Sequence, residues 1–349
     1  MQEDTCIFIE KITLQSKEEM KILVTGADGL LGSNLVRELL GRNYEVTALV
    51  QELKVYPTLA NLPIKMVKGD LLDPISIHKA LNNMEIVIHC AANTSMFPPR
   101  QEIVNRVNLN GVETIISACK ENQVKRLIYV GTANSFGSGT QTNLGDETRA
   151  YNAEKYGLDY MDSKYKAQKI ILEEVANGSL DAVVVNPTFM IGPYDSRPSS
   201  GEMLLGIYFK KVPGYTLGGK NFVAVKDVAT AIANAITMGK KGECYILGNE
   251  NLSYQAAFEK ISKIAQVKSP RFKLSTPLVR FYGKANSILG KLFKFSPKLS
   301  YELAILASEE HYYSSAKARK ELNMPQTPIE IAIADCFSWF KENNYLIKK

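Results

Sequence analysis

Apolar residues along this chain fall into two spacings. Short unbroken runs occur at Lys21-Ile22-Leu23-Val24-Thr25, Glu45 to Val50, Ile64 to Lys68, Glu85 to Cys90, Arg126 to Gly131 and Asp181 to Asn186. Such runs read as strands buried on both faces, as parallel strands are. Between them, apolar positions three and four apart recur over Leu30 to Gly41, Pro74 to Asn82, Val104 to Asn122 and a segment carrying Tyr160. That spacing makes one apolar stripe on a helix. The alternation predicts a parallel sheet with helices on both faces, a doubly wound α/β Rossmann architecture.

After Pro187 the alternation weakens, and Pro193, Pro198, Gly201, Pro213, Gly214, Gly218 and Gly219 punctuate loops. Phe222 to Met238 predicts a return to the sheet: a short strand, then a helix for which Asp227 is the expected N-cap. From Gly242 the pattern is mostly helical, with one strand at Cys244 to Leu247. The expected organisation has three parts. Residues 1–19 are an extension, and 20–187 with 221–241 form a dinucleotide-binding region. Residues 188–220 and 242–349 form a smaller, mostly helical substrate-binding region over the C-terminal ends of the strands.

Of 349 residues, 45% are hydrophobic and 22% charged, which is ordinary for a globular chain. No apolar run reaches the ~18 residues of a spanning helix. Met1 to Met20 mixes both signs of charge, unlike a secretory signal, and reads as a leader outside the fold. The cysteines (Cys6, Cys90, Cys119, Cys244, Cys336) are odd in number and form no C-x-x-C pair, so a reduced, cytoplasmic compartment is expected. His78, His89 and His311 lack metal-ligand spacing, and no metal is expected.

The net charge of +6 is uneven: Lys268 to Lys298 contains eight basic residues and no acidic one. Within Pro277 to Lys294, helical geometry places Arg280, Lys284, Lys291 and Lys294 on one stripe within ~80°. Leu278, Phe281, Tyr282, Ala285, Ile288, Leu289, Leu292 and Phe293 fill the opposite face. The preferred reading is a helix with its apolar face in the core and its lysines solvated. A lid over a lipophilic substrate and contact with an anionic membrane are the alternatives. Nucleic acid is not expected as a partner, because no basic patch is interleaved with stacking aromatics.

Candidate chemistry begins at Thr25-Gly26-Ala27-Asp28-Gly29-Leu30-Leu31-Gly32, between the first strand and the first helix. Gly26 permits a tight turn, Gly29 lets backbone approach a pyrophosphate, and Gly32 lets helix pack on strand. Free N–H groups at Leu30 then face the phosphates. The second strand ends Val50-Gln51 with Lys54 close behind, and the expected ribose-binding carboxylate and any arginine are both missing there. A 2′-phosphate would meet no repulsion, which favours NADP(H) over NAD(H). Asp70-Leu71 is placed to meet the adenine, and Ala91-Ala92 to line the nicotinamide side. Tyr160 and Lys164, four apart, share a helix face, where an ammonium would lower the phenol pKa and make an acid/base pair.

Five separated motifs resemble the extended short-chain dehydrogenase/reductase family: the glycine turn, Gly69-Asp70, His89-Cys90-Ala91-Ala92, Gly131-Thr132-Ala133-Asn134-Ser135-Phe136-Gly137, and Tyr160-x-x-x-Lys164. Within it, the chain is most similar to the dihydroflavonol reductase and 3β-hydroxysteroid dehydrogenase group of the NAD-dependent epimerase/dehydratase superfamily. The resemblance implies a ketone reductase or alcohol dehydrogenase with Thr132, Tyr160 and Lys164 catalytic, Asn108 ordering the active-site helix, and Asp227 a structural aspartate, the alternative to its N-cap reading. It also implies that Tyr160, Lys164, Pro187 and Thr188 touch the cofactor. A homodimer through the Val104–Asn122 and Tyr160–Val175 helices is implied as well. The substrate is expected to be hydrophobic or mid-sized. Asn186 stands where nucleotide-sugar epimerases usually carry arginine. A nucleotide-sugar epimerase or dehydratase is the alternative enzyme, and a non-catalytic NAD(P)-binding redox sensor the alternative from another class.

Overall fold

The computed structural model describes residues 20–347, so the expected extension over 1–19 lies outside the described residues. The first half alternates as expected: β1 (Lys21–Thr25), α1 (Leu30–Gly41), β2 (Glu45–Val50), β3 (Lys65–Lys68), α2 (Pro74–Ala80) and β4 (Ile86–His89). α3 (Glu102–Asn105) and α4 (Gly111–Glu121) make up the expected long helix, with a π-helical turn, Arg106–Asn110, set between them. β5 (Arg126–Val130), α5 (Asp159–Ala176) and β6 (Ala182–Pro187) follow. Next come β7 (Phe189–Ile191), α6 (Gly201–Tyr208), β8 (Gly214–Tyr215), β9 (Gly219–Ala224), α7 (Val225–Met238) and β10 (Cys244–Leu247). The chain ends with β11 (Glu250–Ser253), α8 (Tyr254–Ile264), β12 (Phe272–Lys273), α9 (Thr276–Phe293), α10 (Tyr301–Leu306), β13 (Glu310–His311), α11 (Ala316–Glu321) and α12 (Ile329–Glu342).

The main sheet has seven strands in the order β10-β6-β5-β4-β1-β2-β3, all parallel. The strand order reverses between β1 and β4, which opens a crevice at the C-terminal strand ends where ligands of such sheets sit. Leu35, Leu39, Val228 and Ile232, from α1 and α7, cover one face. Val112, Ile115, Ala167 and Ile171, from α4 and α5, cover the other.

A second sheet runs β11-β9-β13 with β7 also on β9, and it packs on α8 and α12. Three expectations are corrected here. Cys244–Leu247 belongs to the main sheet, as its edge strand beside β6, because its four residues are all buried there. The strand at Phe222 belongs to the second sheet, where Phe222 and Ala224 face the α8 and α12 side chains while Val223 faces the main core. Asp227 is not an N-cap. Ala224 holds that position, and the Asp227 carboxylate accepts from Thr327 N and Oγ1, both at 2.7 Å, tying down the C-terminal segment.

The largest departure is α9. Its buried positions are Val279, Gly283 and Gly290, while Phe281 is 72% exposed, Leu292 69% and Phe293 67%. The preferred reading, an apolar face in the core, is therefore inverted. A narrow seam explains the rotation: a Cβ on Gly283 would lie 2.7 Å from the Ala304 Cβ of α10. On that side Asn286 donates to the Leu299 carbonyl at 3.4 Å, and Ser287 Oγ accepts from Tyr301 N at 2.8 Å. Small residues fill the buried seam and the polar ones bond across its edge, so the bulky apolar side chains face out.

Candidate active site

The crevice is a cleft of about 1940 Å³, well above the ~300–1,000 Å³ of a single drug-sized site. Its floor at one end is the glycine turn. Gly26 has φ +64°, and a Cβ there would lie 2.8 Å from Ala91 N. A Cβ on Gly32 would meet the Gly26 carbonyl at 2.1 Å, so Gly32 serves packing. Gly29 differs, since a Cβ there would meet only the Gly26 oxygen, at 3.4 Å. The space beside it is cleft, at the start of α1, and it suits a pyrophosphate held by backbone N–H groups. The residues fit a dinucleotide.

Asp28, Leu30 and Leu31 line this end with the glycines, and Gln51, Asp70 and Leu71 line the walls beyond. Ala91, Ala92, Thr132, Tyr160, Pro187 and Thr188 line the deeper part. Three expected site residues do not reach the cleft wall. Thr25 is fully buried; its hydroxyl pairs with His89 Nδ1 at 2.7 Å and accepts from Ala91 N at 3.1 Å. Thr25 thus holds β1 to β4, its hydroxyl taken up between the strands. Asn108 and Lys164, 3% exposed each, lie beneath the wall.

The reading of the nucleotide-specificity region needs two changes. Glu52, two residues past β2, also lines the cleft, and its carboxylate is held by Lys54 at 2.8 Å. Arg197 arrives from the loop after β7, bonds Asp28 Oδ2 at 2.6 Å, and sits close enough to Lys54 for their charges to interact. Nothing near β2 in sequence signals that arginine.

At the deep end, Thr132 leads a short 3-10 turn, Ala133–Ser135, and its Oγ1 accepts from Asn134 N at 3.3 Å. Tyr160 opens α5 beside it. Burial pushes the Tyr160 phenol up, and the Thr132 hydroxyl pulls it part of the way back. This reverses the expected direction. The Lys164 Nζ is engaged elsewhere: it donates to the Val130 carbonyl at 2.6 Å and lies 4.2 Å from the centre of the Tyr129 ring. Burial lowers that amine to about 7, because an apolar surrounding disfavours the charged form. The same effect keeps His89 neutral, at about 3, and raises the Cys90 thiol to about 12.

Two buried amides set the positions of these groups. Asn108, inside the π turn, donates to Asn93 O and Ser163 Oγ, both at 3.0 Å, and accepts from Asn93 N at 2.8 Å. Such turns within helices are common at functional sites. Asn186 donates to the Thr132 carbonyl at 3.0 Å and to Gln168 Oε1 at 2.8 Å, joining the strand end to α5. Sequence reading marked Asn186 only as a departure from a family pattern.

The outer half of the cleft is apolar: Phe189, Met190, Met203, Phe258, Leu274 and Leu303 line it. Lys211 and Lys298 line it as well, together with a third cation that burial perturbs. Lys220 has its Nζ 4.6 Å from the centre of the Phe189 ring, and burial lowers it to about 8. His311, lowered to about 4 chiefly by burial, lines the same half. Among the described residues no cluster of His, Cys, Asp and Glu could hold a metal ion.

Sheet order, glycine turn and cleft define a Rossmann-type dinucleotide-binding protein. The profile of the NAD dependent epimerase/dehydratase family matches residues 22–248, and the chain belongs to that family. It is 33% identical to a putative dihydroflavonol 4-reductase of Synechocystis sp., over 93% of this chain and 95% of that protein. It is 28% identical to sterol demethylase protein B of Methylococcus capsulatus, over 94% of this chain and all (100%) of that one. The crystal structure of gox2253 superposes with a TM-score of 0.81 at 32% identity, covering 92% of this chain and 98% of that one.

Proposed function

We propose that this protein reduces a ketone, or oxidises the matching secondary alcohol, on an apolar mid-sized substrate, with NADP(H) as its preferred cofactor. The observation that carries this reading is the pair of hydroxyls, Thr132 and Tyr160, facing an apolar cleft beyond a dinucleotide-sized floor. The cofactor supplies or accepts the hydride. The substrate oxygen lies between the two hydroxyls. Tyr160, kept protonated by burial, gives its proton to that oxygen as negative charge builds there. Thr132 donates a hydrogen bond to the same oxygen. Lys164 supports the strand end through Val130 and supplies positive charge below the site when protonated. Arg197 and Lys54, paired here with Asp28 and Glu52, are the two cations that could turn to a 2′-phosphate, and they support NADP(H) against the Glu52 carboxylate beside them. A homodimer through α4 and α5 remains part of the reading.

The test is NADPH absorbance against steroids, flavonoids, aldehydes and sugar nucleotides. Turnover of apolar ketones is expected, and Tyr160→Phe should lower it on the order of 10²–10⁴-fold with nucleotide affinity retained. Isomerisation of a sugar nucleotide with no net use of NADPH would replace this reading with an epimerase.

A further inference from the structure

We propose that α9 is a membrane-docking element that lies flat on an anionic lipid surface and sets the open side of the substrate cleft against it. Three observations define the surface. The helix is turned inside out, with Val279, Gly283 and Gly290 buried and Phe281, Ile288, Leu292 and Phe293 between 58% and 72% exposed. Its rotation is held by Asn286 and Ser287, so the apolar face is a built feature and not a loose end. Phe272, 74% exposed, and Phe295, 46% exposed, extend the apolar surface at both ends. Isolated exposed apolar residues are common, but a contiguous face of this kind marks an interaction surface.

Charge selects the occupant. Arg280, Lys284, Lys291 and Lys294 run along one edge of that face, and no acidic residue occurs from Lys268 to Lys298. An in-plane amphipathic helix binds by burying its apolar face at the acyl boundary while its cations meet anionic headgroups. A second copy seated on this face would bring the same cations against Arg280, Lys284, Lys291 and Lys294, with no acidic residue in α9 to pair them; Lys298, beyond the helix, already pairs with Glu202 at 2.6 Å. Anionic lipid satisfies both halves of the surface; a self-contact satisfies only the apolar half. The helix is not a membrane span, since no described helix is long and apolar enough to cross.

The face is continuous with the cleft. Leu278, Val279, Tyr282 and Phe295 belong to α9 or its C-terminal turn and also line the cleft wall. A substrate dissolved in the bilayer would reach Tyr160 without crossing water. That route rests on the proposed reaction; the docking does not, and vesicle binding tests it separately.

The experiment is co-sedimentation of the whole protein with phosphatidylcholine vesicles, with and without phosphatidylglycerol, at low and high salt. Binding to the anionic vesicles at low salt is expected, with loss at high salt. Lys284→Gln with Lys291→Gln should weaken it roughly 25-fold, at about fivefold per cation. Phe281→Asp with Leu292→Asp should abolish it, while nucleotide binding and melting temperature report an intact fold. Should that pair fail to fold, the lysine pair and the salt titration decide alone. Absence of binding to anionic vesicles at low salt overturns the proposal, as does binding that ignores the lysine pair. A dimer that Phe281→Asp with Leu292→Asp converts to monomer, without vesicle binding by the parent, assigns the face to self-association instead.

Discussion

The Asn108 amide donates to the Ser163 hydroxyl at 3.0 Å, across 55 positions of sequence. One end of this contact is the π turn between α3 and α4; the other lies between Tyr160 and Lys164 on α5. Asn108 is thus a positioning residue. Removing it leaves Asn93 N and Asn93 O without their side-chain partner at a half-buried position and takes a partner from the buried Ser163 hydroxyl. Asn108→Ala should destabilise by about 1–3 kcal/mol and lower kcat more than it raises KM. Denaturant midpoints and steady-state kinetics check it together; unchanged kcat with lost stability would leave Asn108 a purely structural role.

Two glycines of one turn should fail in different ways. At Gly32 an added methyl lands 2.1 Å from backbone, so Gly32→Ala must shift α1 off β1. A loss of at least 1–3 kcal/mol, the usual cost of overpacking, is expected. At Gly29 the methyl has room in the protein and enters the cleft. Gly29→Ala should keep its melting temperature yet bind NADPH at least tenfold more weakly. Equal nucleotide affinity in Gly29→Ala would move the pyrophosphate elsewhere.

Cofactor choice should depend on the arginine brought from the loop after β7. Arg197→Ala removes a charge-assisted contact worth about 1.5–3 kcal/mol. The kcat/KM for NADPH should fall roughly ten- to 150-fold, at about 1.4 kcal/mol per factor of ten, with that for NADH little changed. A wild-type enzyme that strongly prefers NADH would sink the assignment before any mutant is made.

Burial also writes a pH signature. Lys164 is lowered to about 7 and Lys220 to about 8, whereas an unfolded lysine titrates near ~10.4. Between these values the unfolded chain holds protons that the folded chain has released, so both lysines make stability rise with pH from about 7 to about 10. The buried thiols of Cys90 and Cys119, raised to about 12, act the other way above pH ~9. The informative quantity is therefore a difference. Subtracting the profile of Lys164→Met or Lys220→Met from that of the wild type should leave a rise over this window. Melting temperatures in nucleotide-free buffer, taken at half-unit steps, measure it; a flat difference would place both amines in water.

The main sheet was legible because its strands are buried on both faces and so carry unbroken apolar runs, Ile22-Leu23-Val24 being the plainest. The glycine turn was legible because it sits between a strand and a helix that the pattern locates; Tyr160 was singled out by its spacing to Lys164, and Thr132 only by the family resemblance. Three features were not. Arg197 reaches Asp28 across 169 positions, and no local spacing announces such a contact. The direction of the Tyr160 shift depends on where the Lys164 amine points, and that is set by Val130 and Tyr129. For α9, a helical wheel sorts apolar from basic residues but cannot say which arc meets the protein. Gly283 and Gly290, close on a third arc with Val279, were the available sign of a buried seam.

The chain passes repeatedly between the two sheets: out at β7, back at α7, out again at β11, and back once more when Ala318, Leu322 and Met324 join the main core. Tyr312 and Tyr313 bridge to Gly139 and Gly145 on the way. Such lacing leaves no clean seam along which an ancestor could trade one whole lobe for another. New specificities in this lineage would have to come from rewriting the loops that overhang the cleft, with the stitched frame inherited intact.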